Sequence, residues 1–525
     1  MLFVCRINTT FITGRIIKMK IKPIFSLFLC FIVTAAAFVG APCFNAGISA
    51  SAETENVLFG DIDSNGVINA NDALLALQQA VDKTNLSEKQ RSLADVDCSD
   101  TVNATDALQI LQFSLEKITS YSYTGMNGRT ITVATRNINK YTGQSAAAAE
   151  YRAAINGIEK KYGMQVKLIE MSEEEISSAI STGTRTFDIV DTNLVEGRNL
   201  ARRNRVKDIS GSAFFDNTFS SGMTGSFTLG TEVYGVASKA MSTNAHGLMM
   251  NMDLLKRYAP VSAGKLSVQF ENKQWTWEAL RALLDEYASN APENSKIMLS
   301  NTNIIGQVIV SNAGYEVDFL LDGTGATSSI CSPEGIAAMT YLKSLKTDGL
   351  WYYDADVNAL YSFFKSGKSP IFAYFLNAAS WSSRSGYNFE LTAMPFPIGP
   401  EKEDYVMSSF NGMAYCIPSS SKKTVNAEML FLKELMAMDE GLANAVCSDS
   451  ASYGYNELGV SVYRWATANT TRDFSSGPFT SAVGGPVDSS VINPTRDPAK
   501  VLPSIEKLVQ KEVDNYYGKF YAEKN

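Results

Sequence analysis

The most constraining feature of the sequence is a duplication. The segment GDIDSNGVINANDALLALQQAV, beginning at Gly60, recurs as ADVDCSDTVNATDALQILQFSL, beginning at Ala94, so that Asp61 corresponds to Asp95 34 residues later. In the first copy Asp61, Asp63, Asn65, Val67, Asn69 and Asp72 fall at positions 1, 3, 5, 7, 9 and 12 of a loop, with Gly66 at position 6. A calcium loop needs this spacing, because side-chain oxygens alternate along a tight turn, a backbone carbonyl serves at position 7, and glycine takes the strained bend. The second copy offers Asp95, Asp97, Ser99, Thr101, Asn103 and Asp106 at the same positions. It departs twice from the pattern. Ser99 is a weaker oxygen ligand, and Asp100 stands where glycine is expected, at some conformational cost. The second loop is therefore expected to hold its ion more weakly. One Asp-rich loop could be an ordinary turn; two in register argue otherwise. Each runs into Asp-Ala-Leu and an apolar-periodic helix, carried by Leu74, Leu75, Leu77 and Val81 in one copy and Leu108, Leu111 and Leu115 in the other. Between Gly60 and Ile118 ten acidic side chains face only Lys83, Lys89, Arg91 and Lys117. Clustered carboxylates repel until a cation binds, so this region is expected to fold poorly without calcium.

Residues 58–118 resemble a type I dockerin, the duplicated calcium-binding module by which secreted proteins of anaerobic fibre-degrading bacteria attach to cohesin domains of a cellulosome scaffold. The resemblance implies two calcium ions, and one helix after each loop with none before it. It also implies a cohesin-binding set at Ala70, Asn71, Leu77 and Gln78, mirrored at Ala104, Thr105, Leu111 and Gln112. The near-matching sets would allow cohesin to bind in two orientations.

With 525 residues, 45% hydrophobic and 19% charged, the chain is long enough for two to four domains. A net charge of -8 without a Lys/Arg run argues against nucleic-acid binding. His246 is the only histidine, which removes multi-histidine metal sites and leaves Ser-His-Asp catalysis a single possible base; it reads as an ordinary core or loop residue. Lys18, Lys20 and Lys22 precede an apolar run from Ile24 to Val39, and Ala50-Ser51-Ala52 offers a cleavage site before Glu53. Residues 1–52 thus read as an export signal, with Met19 as the expected true start. The apolar run is short for a membrane span. Cys5, Cys30 and Cys43 lie in this leader, and Leu29 and Pro42 stand where a lipoprotein signal requires a small residue. A lipid anchor is not expected. The remaining cysteines, Cys98, Cys331, Cys416 and Cys447, are scattered without C-x-x-C spacing, and their pairing is open.

After a polar linker expected over 119–128, strand and helix patterns alternate. Ile131–Thr135 is a β-branched strand, Tyr151, Ala154, Ile155, Ile158 and Tyr162 recur at helical spacing, and Gln165–Ile169 is a second strand. Ser172 with Glu175 forms a capping box, Phe187–Asp191 is a third strand, and Leu194–Arg203 a helix. A βαβαβ succession implies a parallel sheet with ligand at the carboxyl ends of its strands, where Arg136, Asn137, Asp191, Thr192 and Asn193 stand.

From residue 129 to 525 a series of phrases, FDIVDTN, EVYGVAS, HGLMMNMDLLKRYAP, WTWEALRALLDEYA, FFKSGKSPIFAYFLNAASW, LTAMPFPIGP, SSFNGMAYCIP and NAEMLFLKELMAMDEG, resembles in order the extracellular solute-binding proteins of ABC importers, in the group that includes sugar binders. The expected fold class is α/β: a two-lobed, type II periplasmic-binding-protein-like domain with hinge strands, preceded by a small all-α calcium-binding dockerin. The resemblance implies ligand contacts at Arg136, Asn137, Asp191, Asn193, Tyr234, Asn377, Trp381, Asn411 and Gly412, with Trp381 stacking on a sugar's C–H face. Trp275, Trp277 and Trp351 stand beside helix patterns and are expected to pack. The function expected is a secreted, non-catalytic binder of a soluble oligosaccharide, attached to a cellulosome or cell surface by calcium-dependent cohesin binding and serving, in family terms, an ABC permease. The competing readings are a dockerin-bearing glycoside hydrolase and a non-catalytic structural adaptor. A hydrolase needs two carboxylates flanking one bond, and no local motif singles out such a pair; no G-x-S-x-G elbow or Walker loop is present.

Overall fold

The computed structural model describes residues 58–521 apart from 185–186, 240–244, 320–323, 380–385, 410–411, 420–423, 438–440, 443, 446–447, 449–453 and 474–480. The expected leader, Trp381, Asn411 and Cys447 lie outside the described residues. No helix among the described residues is long and apolar enough to cross a membrane.

The duplicated region forms three helices: α1 (Ala70–Ala80), α2 (Glu88–Ala94) and α3 (Ala104–Ser114). Asn69 and Asn103 cap α1 and α3, each with the position-12 aspartate closing a capping box, so the last ligand of each loop also starts its helix. The short α2 departs from the expectation of no helix ahead of a loop. Ser87 and Gln90 supply its capping box, and it ends at Asp95, the first position of the second loop. Ile62, Ala76, Ala94, Val96 and Ile110 form a small core beneath α1 and α3.

The first lobe contains β1 (Thr130–Thr135), α4 (Ala146–Tyr162), β2 (Gln165–Glu170), α5 (Glu173–Thr182), β3 (Ile189–Asn193) and α6 (Leu194–Arg202). Ser145 caps α4 and Gly163, at φ +66°, ends it; the Ser172–Glu175 box opens α5 as the sequence requires. β1 runs parallel to both β2 and β3. The chain then builds a second lobe around a sheet ordered β6-β5-β7-β4-β8, from β4 (His246–Asn251), β5 (Met298–Ser300), β6 (Trp351–Tyr353), β7 (Ile371–Phe375) and β8 (Leu391–Pro395). It returns to lobe one through β9 (Met413–Cys416), antiparallel to β3, giving that sheet the order β9-β3-β1-β2, and α7 (Asn426–Met436). The final helix α8 (Pro498–Tyr517) contributes Leu502 and Val509 to the core of lobe two and Val513 and Tyr517 to that of lobe one, tying the lobes together.

Three expected core residues pack as anticipated. Trp275, Trp277 and Trp351 are buried in lobe two; the Trp275 indole donates to the Pro395 carbonyl (3.0 Å), and Trp277 stacks on Tyr341 at 4.4 Å. His246 is fully buried beside Tyr374 and Phe375, and burial pushes its pKa down to about 3, so it is a neutral core residue. Cys98, Cys331 and Cys416 are free thiols.

Residues 119–128, expected to be a polar linker, are packed instead. Ser122 exchanges hydrogen bonds with Gln109 (2.7 and 3.2 Å), Gly125 N–H donates to the Asp97 carbonyl (2.9 Å), and Met126 is fully buried. The dockerin supplies partners for the segment's backbone polar groups, the Gln109 side chain for Ser122 and the Asp97 carbonyl for Gly125, so the segment can pack without leaving them unpaired.

Candidate functional site

The two loops have nearly the same internal wiring. In the first, Asp61 accepts from the backbone N–H groups of Asn65 (3.1 Å) and Gly66 (2.8 Å), and Asp72 from those of Ile62 (2.8 Å) and Asn69 (2.9 Å). In the second, Asp95 accepts from Ser99 (2.9 Å) and Asp100 (3.2 Å), and Asp106 from Asp97 (3.1 Å) and Asn103 (2.8 Å). These bonds hold positions 1 and 12 so that oxygens of Asp61, Asp63 and Asp72, and separately of Asp95, Asp97 and Asp106, lie within 4.8 Å of one another. Gly66 adopts φ +86° and Asp100 φ +70°, so the aspartate accepts the bend that its counterpart reserves for glycine. An oxygen-only donor set of carboxylates, amide or hydroxyl and a position-7 carbonyl fits calcium, a hard cation. Burial, followed by repulsion from neighbouring carboxylates, pushes both Asp95 and Asp106 up to about 7, a charge conflict that a divalent cation relieves.

The loops differ in their surroundings. Asp63, Asn65 and Val67 of the first are exposed, and Asn69 is half-buried. In the second, Asp95, Asp97, Asp100 and Asp106 are all buried; Ser99 and Asn103 are half-buried and only Thr101 among the ligand positions is exposed. Both sets expected to meet cohesin stay uncovered: Ala70, Asn71, Leu77, Ala104, Thr105 and Leu111 are exposed, and Gln78 and Gln112 half-buried.

At the carboxyl ends of β1 and β3 the structure brings together Arg136, Asn137, Asp191 and Asn193, all anticipated, with three residues that were not. Asp191 is fully buried and accepts from Lys140 Nζ (3.0 Å), Tyr141 OH (2.7 Å) and Thr135 Oγ1 (3.1 Å). The Tyr141 and Tyr415 hydroxyls are 2.9 Å apart, and the Lys140 ammonium stands 4.6 Å from the Tyr415 ring centroid. Lys140 and Tyr141 carried no periodic or motif signal in the sequence; Tyr415 falls within the phrase SSFNGMAYCIP, but nothing in that phrase marked it as a site residue. Asn193 is buried, its side chain capping α6 by accepting from Glu196 N–H (2.9 Å). Arg136 is half-buried and paired with Glu173 (2.6 Å), while Asn137 is exposed.

The other anticipated positions fall elsewhere. The Tyr234 hydroxyl donates to Glu232 and its ring packs edge-on against Phe520, in the core shared with Val513 and Tyr517 of α8. The Gly412 carbonyl accepts from Leu194 N–H (2.9 Å), linking β9 to the start of α6. Asn377 is half-buried just beyond β7.

Residues 153–446 match the model of the bacterial extracellular solute-binding proteins, and residues 59–113 that of the type I dockerin domain. No curated protein matches the sequence. Among solved structures, the fold is similar to the cyclic alpha-maltosyl-1,6-maltose binding protein from Arthrobacter globiformis, with a TM-score of 0.55 at 16% identity over 74% of this chain and 100% of that one. It is likewise similar to a cyclo/maltodextrin-binding protein complexed with maltotetraose, at 0.54 and 17% over 73% and 97% of the two chains. M. tuberculosis UspC gives 0.51 and 16% over 73% and 100%. At these identities the likeness concerns the fold. The chain belongs to the bacterial extracellular solute-binding proteins, and ahead of its two-lobed domain it carries a type I dockerin, a calcium-binding module.

Proposed function

We propose that this chain is a secreted solute-binding protein that attaches to a scaffold through its dockerin and captures a soluble oligosaccharide in its two-lobed domain. One observation carries the attachment. Leu74, Leu77, Leu108 and Leu111 stand exposed on α1 and α3 while the second loop faces lobe one, so the dockerin presents an uncovered apolar surface in its docked position. Apolar exposure concentrated on one small module marks an interaction surface, and the module's family supports cohesin as the partner class. Calcium, held by Asp61, Asp63, Asn65, Val67, Asn69 and Asp72 and by Asp95, Asp97, Ser99, Thr101, Asn103 and Asp106, would neutralise the converging carboxylates and fix the helices that carry this surface. Two ions per chain are expected.

The named ligands of the fold's solved neighbours, a cyclic maltosyl-maltose and maltotetraose, support an oligosaccharide as the solute. Asn137 and Arg136 at the strand ends are the described side chains best placed to meet its hydroxyls, with Asn377, Trp381, Asn411 and Gly412 completing the proposed set. Asp191 acts through Lys140 and Tyr141, whose positions it fixes, and Asn193 and Tyr234 shape the surrounding backbone. The proposed role is capture without chemistry, with any onward transfer made to an ABC permease. Binding of cello-, xylo-, manno- and malto-oligosaccharides to the mature chain, followed by calorimetry, tests the solute. Capture on an immobilised type I cohesin panel, with calcium and with chelator, tests the attachment. Saturable sugar binding and chelator-sensitive capture support the proposal; capture unaffected by chelator overturns the calcium role.

A further inference from the structure

The second calcium loop is the dockerin's contact with lobe one. Thr424, just ahead of α7, donates from Oγ1 to Asp95 Oδ2 (2.5 Å), and Asn426 Nδ2 donates to the carbonyls of Asp95 (2.9 Å) and Ser92 (2.7 Å). Arg129, at the entry to β1, binds the Asp100 carboxylate (2.8 Å) and the Cys98 carbonyl (3.1 Å). Lys207 of lobe one pairs with Glu88 of α2 (2.9 Å). The contact is also apolar: Cys98 is fully buried within the hydrophobic core of lobe one, and Phe59 packs edge-on against Phe214 at 5.1 Å. Gly125 lies so close to this loop that a Cβ there would stand 2.4 Å from Ser99 Cα. Asp100, which weakens the loop as a calcium motif, is the residue through which Arg129 holds it.

We infer that the second loop is a calcium-dependent clamp: ion binding there fastens the dockerin to lobe one, so that the module is a rigid mount for the solute-binding domain. The inference rests on the calcium reading of the loops proposed above. Its physical basis is linkage. Thr424 and Asn426 hold position 1 in the geometry that the ion needs, and the ion in turn holds the loop in the geometry that those side chains need. Coupling is reciprocal, so whatever factor docking adds to ion affinity, the ion adds to docking. The first loop, whose Asp63, Asn65 and Val67 are exposed, lies outside this coupling.

The test is a calcium titration of the full mature chain by chelator competition, in the wild type and in a variant carrying Thr424→Val and Asn426→Leu, each with and without Asp63→Ala to separate the loops. The lost hydrogen bonds should weaken the second-loop class about tenfold or more and leave the first-loop class unchanged. Two calcium classes that are both indifferent to the Thr424 and Asn426 substitutions overturn the clamp alone; a chain that binds no calcium overturns the dockerin reading beneath it. Hydrogen exchange on the wild type needs no variant. Calcium should slow exchange in residues 424–432 and 129–133 as well as in the dockerin, and protection confined to residues 58–118 would overturn the clamp.

Discussion

Replacing Lys140 by methionine should be among the costliest single changes in lobe one. The Lys140 side chain is 10% exposed and its Asp191 partner 0%, with the charged atoms 3.0 Å apart. At that distance and an effective dielectric near 20 the Coulomb attraction is about 5 kcal/mol, most of it offset in the folded chain by desolvation of both ions. Removing the lysine alone leaves the desolvation of Asp191 in place. Tyr141 and Thr135 still donate to the carboxylate, yet neither neutralises it. Losing one partner of a buried pair costs about 3–5 kcal/mol, whereas neutralising both costs much less. Guanidinium unfolding of the wild type, Lys140→Met, Asp191→Asn and the double variant forms a thermodynamic cycle that isolates the pair. The expected result is a large loss in Lys140→Met and recovery of most of it in the double variant. A loss below about 1 kcal/mol, the range of an exposed pair, would refute the argument that burial governs this interaction.

Three further outcomes follow from the geometry. Because His246 is the only histidine, its two carbon-bound ring protons can be assigned without ambiguity, and neither should titrate between pH 8 and 5. The unfolded chain takes up a proton near pH 6.5 and the folded one only near 3, so stability falls with decreasing pH across that window, by about 2 kcal/mol at pH 5; a signal titrating near 6.5 would contradict the burial. Gly125→Ala should destabilise the docked dockerin by about 1–3 kcal/mol in calcium, through overlap with the second loop, read as a lower melting temperature; an unchanged melting temperature would show that the loop yields freely. Asp61→Ala and Asp95→Ala, compared by calorimetry, should each remove one calcium site, and Asp95→Ala should also loosen lobe one; equal effects on lobe one would show the two loops to be interchangeable.

Local patterns made much of this molecule legible. The paired loops, the box of Ser172 and Glu175, and the strands around Ile131, Val166 and Ile189 all follow from side chains within a few residues of one another. Packing of the three tryptophans follows from neighbouring helix patterns, whereas His246 read equally as a core or a loop residue until the strand β4 placed it inside. The remainder depends on long-range pairing. Tyr141 meets Tyr415 across 274 residues and Asp95 meets Thr424 across 329, and no spacing rule connects such positions. Asp100 shows the limit most plainly. As a motif position it is a departure from glycine, and only with Arg129 against it does the departure acquire a reason. The supposed linker likewise looks polar in sequence, but Met126 and Tyr123 anchor it in the core of lobe one.

In the proposed role, lobes one and two capture a sugar without altering it while the dockerin holds them to a scaffold. Its most direct test is calorimetric titration of the calcium-loaded mature chain with the oligosaccharide panel, each sample then chromatographed. Saturable, one-to-one binding of at least one oligosaccharide, recovered intact, is the expected result. Cleaved sugar, or no binding by any member of the panel, would contradict it.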